Sequence, residues 1–143
     1  MSGSSNFDDL LRANATYAET FSLGTLQAVA ARGLAIVTCF DSRIEPLAML
    51  GLAPGDAKIL RVAGGRVDDS VIESLHLAIT RLGVDRIALV QHTECAAPSV
   101  GPNSLAIDVA RVRAELDVSR HRVSGFVYDV RTGRLTVPQD VAL

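Results

Sequence analysis

The chain has 143 residues, 48% of them hydrophobic, with 14 Lys and Arg against 16 Asp and Glu and a net charge of -2. That length suits one domain with a real core, and a near-neutral charge without a basic, aromatic-interleaved run argues against nucleic acid as a partner. A mean hydropathy of +0.27 is high for a small soluble protein and predicts apolar surface covered by another copy of the chain, a homodimer or homotetramer.

The N-terminus MSGSSNFDDLLRAN has neither a basic leader nor an apolar stretch, so it does not read as a secretory signal. The apolar runs are of strand length, short of the ~20 residues that span a bilayer, so no membrane partner is expected. The expected setting is soluble, reducing and cytoplasmic. There the two cysteines, Cys39 and Cys95, are read as buried thiols, metal ligands or catalytic groups rather than as a structural disulfide.

In chain order, Leu10, Leu11, Tyr17, Ala18 and Phe21 mark an amphipathic helix over about 5–21, capped near Ser5 or Asn6. LAIVTCF from Leu34 is too short for a capped helix and too uniformly apolar for a half-exposed strand, which predicts a central parallel strand. EPLAMLGL reads as a short helix with Pro46 in its first turn. AKILRV, Ala57 to Val62, is a second strand, followed by the turn AGG.

A longer helix follows, with Ser70 and Glu73 in capping-box spacing, Val71, Ile72, Leu75, Ala78, Ile79 and Leu82 on one stripe, and Gly83 at its end. RIALVQH, Arg86 to His92, is a third strand. A Pro-, Ser- and Gly-rich loop runs from Thr93 to Ser104, SLAIDVARVRAEL forms a final helix, and SGFVYDVRTGRLTV alternates around RTG as a terminal hairpin or edge strand. Three strand–helix steps with buried strands predict a single α/β domain over 1–143, with a mainly parallel central sheet, helices on both faces and an extra C-terminal edge strand.

Cys39 closes the first strand, and His92 and Cys95, spaced H-x-x-C, close the third. Ligands of open parallel sheets collect beyond the carboxyl ends of strands where strand order reverses. If the first strand lies between the second and the third, these three residues converge on that crevice. Two thiolates and an imidazole suit Zn²⁺, which keeps three protein ligands and one open position in catalytic sites. Asp41 and Arg43 alternate in the extended turn after Cys39, so their side chains point the same way and are able to pair. A bidentate pair would hold Asp41 ionised beside a metal; away from one it is a surface ion pair of little worth.

CFDSR at 39–43, RVAGG at 61–65 and HTEC at 92–95 resemble the β-class carbonic anhydrases, whose pattern is C-x-D-x-R, an N-A-G-like turn, then H-x-x-C. The resemblance runs from about Asn14 to Thr136 and includes DDSVIESLHLAITRLG and GFVYDVRTGRL, similar to a short bacterial subgroup. It implies Zn²⁺ on Cys39, His92 and Cys95, with water or the Asp41 carboxylate in the fourth position and Arg43 drawing Asp41 away to open the site. It further implies reversible hydration of carbon dioxide to bicarbonate by a zinc-bound hydroxide, since Zn²⁺ lowers the pKa of bound water from ~15.7 to ~7. Two thiolates donate more charge than three imidazoles, so that water is expected to be less acidic than in a three-histidine site. By the same analogy the N-terminal helix packs on a partner subunit.

The chain departs from that pattern beside the pocket. Val62 stands where Asn is usual, and Ala96 where Gly is usual, which would exclude a Cβ if that backbone needs positive φ. The segment from Ala96 to Val123 is short for the subgroup. Val62, Gly64 and Gly65 are the expected substrate-facing residues, the glycines because no Cβ blocks approach. Three other readings stay open: hydrolysis of carbon disulfide or carbonyl sulfide on the same fold, a non-catalytic zinc-stabilised binding or assembly module, and a redox pair of Cys39 and Cys95. His76 and His121 read as packed or surface histidines rather than ligands, and Tyr17 and Phe21 as ordinary core residues.

Overall fold

Short apolar segments joined by long crossovers leave the chain one economical arrangement, a sheet of parallel strands. The computed structural model describes residues 5–141. The strands are β1 (Leu34–Cys39), β2 (Ala57–Val62), β3 (Arg86–His92), β4 (Val123–Tyr128) and β5 (Leu135–Thr136); the helices are α1 (Asp8–Glu19), α2 (Pro46–Met49), α3 (Asp69–Arg81) and α4 (Ser104–Glu115). They form one five-stranded sheet in the order β2-β1-β3-β4-β5. The first four strands run parallel and β5 returns antiparallel along β4, so the expected α/β architecture and its edge strand are both present.

The period-2 alternation of each strand sorts its side chains between two faces. Ala35 and Val37 of β1, Ile87 and Leu89 of β3 and Val123 of β4 meet Val71, Leu75 and Ala78 of α3 and Leu105, Val109 and Val112 of α4. Burying side chains of this size is worth roughly 1.5–3 kcal/mol each and supplies the main driving force for the sheet. On the opposite face Leu34, Ala88, Val90 and Phe126 form the floor of a groove, with Leu50 and Leu52 of the turn after α2 at its side. No helix of the described residues is long and apolar enough to cross a membrane.

Two expectations about helix starts are corrected. The cap of α3 is Asp68, whose carboxylate accepts the Val71 N–H at 2.9 Å, rather than Ser70, which lies inside the first turn. The sequence DDS offered three capping side chains in a row, and Asp68 is the one with extended backbone. At α1 the residue before the first turn is Phe7, with no side-chain cap; Ser5 instead receives the Phe7 N–H on its hydroxyl and donates its own N–H to Asp8.

Tyr17 and Phe21 are not core residues of this chain. They are 58% and 51% exposed, and Leu10 and Leu11 are 62% and 65% exposed. α1 buries no residue of its own. Its apolar stripe was legible, but the described residues place no sheet or helix face of the same chain against it.

Candidate metal centre

β1 is the strand at which the order reverses, since the chain leaves it for β2 on one side and comes back as β3 on the other. Cys39 ends β1 and His92 ends β3, both at the carboxyl edge, and Cys95 follows three residues later. The Thr38 hydroxyl donates to Val90 O at 2.8 Å between the buried ends of the two strands and fixes their approach. The ligand-capable atoms of Cys39, His92 and Cys95 all lie within 4.8 Å of one another, and Cys39 and His92 are buried. His76 and His121 are exposed and stand outside this group.

His92 Nδ1 lies 2.7 Å from Thr93 O, a distance that places a proton on Nδ1 and leaves the lone pair on Nε2. Nε2 is buried and has no hydrogen-bond partner. A buried polar atom without a partner carries a desolvation cost of about 1–3 kcal/mol, so such an atom between two thiols calls for an occupant. Two sulfurs and one imidazole nitrogen match the donor set and number that zinc takes in open sites. The residues therefore fit the metal.

Asp41 Oδ2 stands 3.7 Å from His92 Nε2. Arg43 grips the same carboxylate from the other side, with Nε to Oδ1 at 3.0 Å, Nη2 to Oδ2 at 2.7 Å and its backbone N–H to Oδ1 at 2.8 Å. This forked contact holds the Asp41 carboxyl well below the usual carboxylate range, with a smaller contribution from His92. Burial pushes the Cys95 thiol up, opposed by an Ala97 backbone hydrogen bond and reinforced by Cys39 nearby. A bound cation reverses that logic and favours thiolate.

Gly64 and Gly65 lie at the site, and both are buried. The Gly64 N–H points at Cys39 Sγ at 3.3 Å, which fixes the position of that sulfur. Gly64 has φ +72°, and a Cβ there would come within 2.8 Å of Val100; at Gly65, φ +62°, a Cβ would sit 3.0 Å from the Cys39 backbone nitrogen. Both positions thus need glycine for the packing of the 97–100 loop and of the end of β1. Val62 is in register with Cys39 on the neighbouring strand and packs toward the apolar core, so the wall beside that sulfur is apolar. Ala96 meets no backbone obstacle: the only non-glycine residue with positive φ among the described residues is Glu94, at 55°.

Several residues at the site carried no local sequence signal. Arg61 donates to Cys39 O at 3.1 Å and to Asp41 O at 2.7 Å, lashing the turn after β1 to β2. Arg43 Nη2 also donates to Glu94 O at 3.1 Å, and the Glu94 carboxylate receives Arg131 Nε and Nη2 at 2.8 Å each. Asp108 on α4 is 2% exposed and accepts Arg66 Nε at 2.6 Å and the Val67 N–H at 3.0 Å. Only the RTG turn, read as a hairpin, hinted that Arg131 would sit near the end of β3.

An open parallel sheet with two cysteines and a histidine grouped at its switch point, able to hold a metal, defines an α/β protein with a candidate metal centre. The carbonic anhydrase family model matches residues 34–108, which include every residue of that group. β-Carbonic anhydrase 1 of Mycobacterium tuberculosis is 34% identical over 90% of this chain and 94% of its own length. A carbonic anhydrase from Streptococcus mutans, solved as a crystal structure, superposes with a TM-score of 0.84 at 33% identity, covering 95% of this chain and 99% of the other. A carbon disulfide hydrolase of Saccharolobus solfataricus is 40% identical over 54% of this chain and 38% of its own length. The chain belongs to the β-carbonic anhydrase family, a family of carbonic-anhydrase-type lyases.

Proposed function

We propose that this chain catalyses the reversible hydration of carbon dioxide to bicarbonate at a zinc ion held by Cys39, His92 and Cys95. The observation that carries the reading is the buried, unpartnered His92 Nε2, grouped with two thiols and faced by an Asp41 carboxylate that Arg43 holds in a fork. Zinc when bound supplies Lewis acidity that makes water a nucleophile near neutral pH. The chain's own residues do the rest. The Gly64 N–H holds the Cys39 sulfur in place, Arg61 fixes the carbonyls on either side of Phe40, and Arg43 would keep Asp41 from turning onto a bound metal. Val62, Gly64 and Gly65, expected to face substrate, instead shape the site from behind: Val62 packs on the core, and the space a Cβ would take at the two glycines is filled by the 97–100 loop and the end of β1. The apolar stripe of α1 and the groove opposite α3 and α4 support a second copy of the chain as partner.

A second reading is hydrolysis of carbon disulfide or carbonyl sulfide on the same residues. It is favoured by one feature, the apolar Val62 beside Cys39, and by the partial likeness to a carbon disulfide hydrolase. Stopped-flow hydration of carbon dioxide by zinc-loaded protein, run beside assays with the two sulfur compounds, separates them. The expected result is a large acceleration with carbon dioxide; acceleration only with a sulfur substrate selects the second reading. Full zinc with no acceleration on any of the three selects a binding or assembly module.

A further inference from the structure

Glu94 sits between the ligand residues His92 and Cys95 and takes φ 55°, the left-handed region that a residue with a side chain enters only at a cost of about 1–3 kcal/mol. Something must hold it there. The turn between β4 and β5 supplies the restraint: Arg131 forks onto the Glu94 carboxylate with two 2.8 Å bonds, and the adjacent Val130 N–H donates to the Thr93 hydroxyl at 3.1 Å. Thr93 N in turn donates to Tyr128 O at 2.9 Å, so the whole H-x-x-C turn is stitched to the hairpin. The hairpin turn is itself fixed, since Asp129 Oδ1 accepts the Arg131 N–H at 2.8 Å and Asp129 O accepts the Gly133 N–H at 2.8 Å.

The strained turn also has an output. It presents Glu94 O to Arg43 Nη2, at 3.1 Å, the same nitrogen that grips Asp41 Oδ2 at 2.7 Å. We infer that Arg131 is a positioning residue for the metal centre: through Glu94 it holds the left-handed turn that sets Cys95 and offers Arg43 the carbonyl that aims it at Asp41. The inference rests on the zinc reading of the site. An isolated ion pair as exposed as Arg131 would ordinarily matter little; this one matters because its acidic partner lies between two ligand residues.

The test compares wild type, Arg131→Ala and Arg131→Lys, each as zinc protein and as cobalt-substituted protein. Expected for Arg131→Ala is zinc release to a chelator about 10–100-fold faster, the usual cost of losing an outer partner of a ligand, together with a changed visible absorption of the cobalt form. Arg131→Lys keeps the charge and one donor and recovers part of both. The melting temperature of the metal-free protein should change little, because without Arg131 the left-handed turn is free to relax. Unchanged zinc release and an unchanged cobalt spectrum in Arg131→Ala would overturn the inference, as would a fall in metal-free melting temperature that accounts for the faster release. Zinc release and cobalt absorption need no turnover, so wild type inert toward carbon dioxide sinks the proposed reaction while these two readings still decide for or against Arg131.

Discussion

Asp41 Oδ2 faces His92 Nε2 across 3.7 Å while Arg43 Nη2 holds the same oxygen at 2.7 Å from the other side. The carboxylate is thus shared between a cationic clamp and the side of the histidine that would bind metal. In the proposed zinc site, which of the two it serves would decide whether a fourth position is open.

Removing the clamp should let Asp41 turn toward the metal. Arg43→Gln is expected to lower carbon dioxide kcat/KM by ~10–100-fold with zinc content unchanged, the usual size of such an outer-partner effect. Zinc analysis and stopped-flow rates on the same preparation check this; an unchanged rate would show that Arg43 is only a surface partner.

Losing a ligand differs from losing the clamp. Cys39→Ala and His92→Ala should each remove zinc and activity together, because three protein ligands leave none to spare. Metal analysis after dialysis decides it, and either variant retaining full zinc defeats the assignment of that residue.

The pH behaviour of the metal-free protein follows from the sign of the Asp41 shift. Its folded pKa is depressed by Arg43, so the ion pair adds stability above the unfolded value of about 3.9, and that stability is lost as pH falls through the lower folded value. The stability gap between metal-free wild type and Asp41→Asn should therefore be flat from pH 7 to about 5, then shrink below about 4. Denaturant unfolding across that range tests it, and a gap that closes near pH 6 would contradict the depressed value.

The backbone plan and the three residues that could hold a metal were legible because both write themselves locally. Uniformly apolar runs of strand length gave β1 and β3, and the spacing of HTEC placed two donors at one strand end. The strand order that brings Cys39 to them had to be supposed, since periodicity does not encode which strands are neighbours. Glu94 with Arg131 and Arg66 with Asp108 were invisible for a related reason: their partners lie 37 and 42 residues apart, beyond any helical or strand repeat. Tyr17 and Phe21 misled because an apolar stripe announces burial without saying in which molecule.

That stripe is open to direct test. Deleting residues 1–21 removes Phe7, Leu10, Leu11, Tyr17 and Phe21, all more than half exposed in the single chain. The full chain is expected to sediment as a dimer or larger and the deletion as a monomer; an unchanged oligomer would show that α1 is not the contact.

Asp108 offers a separate check on the support of the turn after β2. Its carboxylate is buried and satisfies both Arg66 and the Val67 N–H. Asp108→Ala should cost ~1–3 kcal/mol by leaving that N–H and part of the guanidinium unpaired. Equilibrium unfolding measures it, and a loss under about 0.5 kcal/mol, the range of ordinary surface substitutions, would show that solvent replaces the carboxylate.

β1 and β3 are neighbours in the sheet, yet β2 and α3 lie between them in the chain. During synthesis Cys39 therefore emerges from the ribosome ahead of His92 and Cys95, by about 3–11 s at an elongation rate of about 5–20 residues per second. Over that interval the first thiol has none of its eventual companions and is open to oxidants and stray metals. The order of the strands thus makes metal capture an event of the finished sheet, and sets a window of chemical vulnerability that a ligand set drawn from one hairpin would not have.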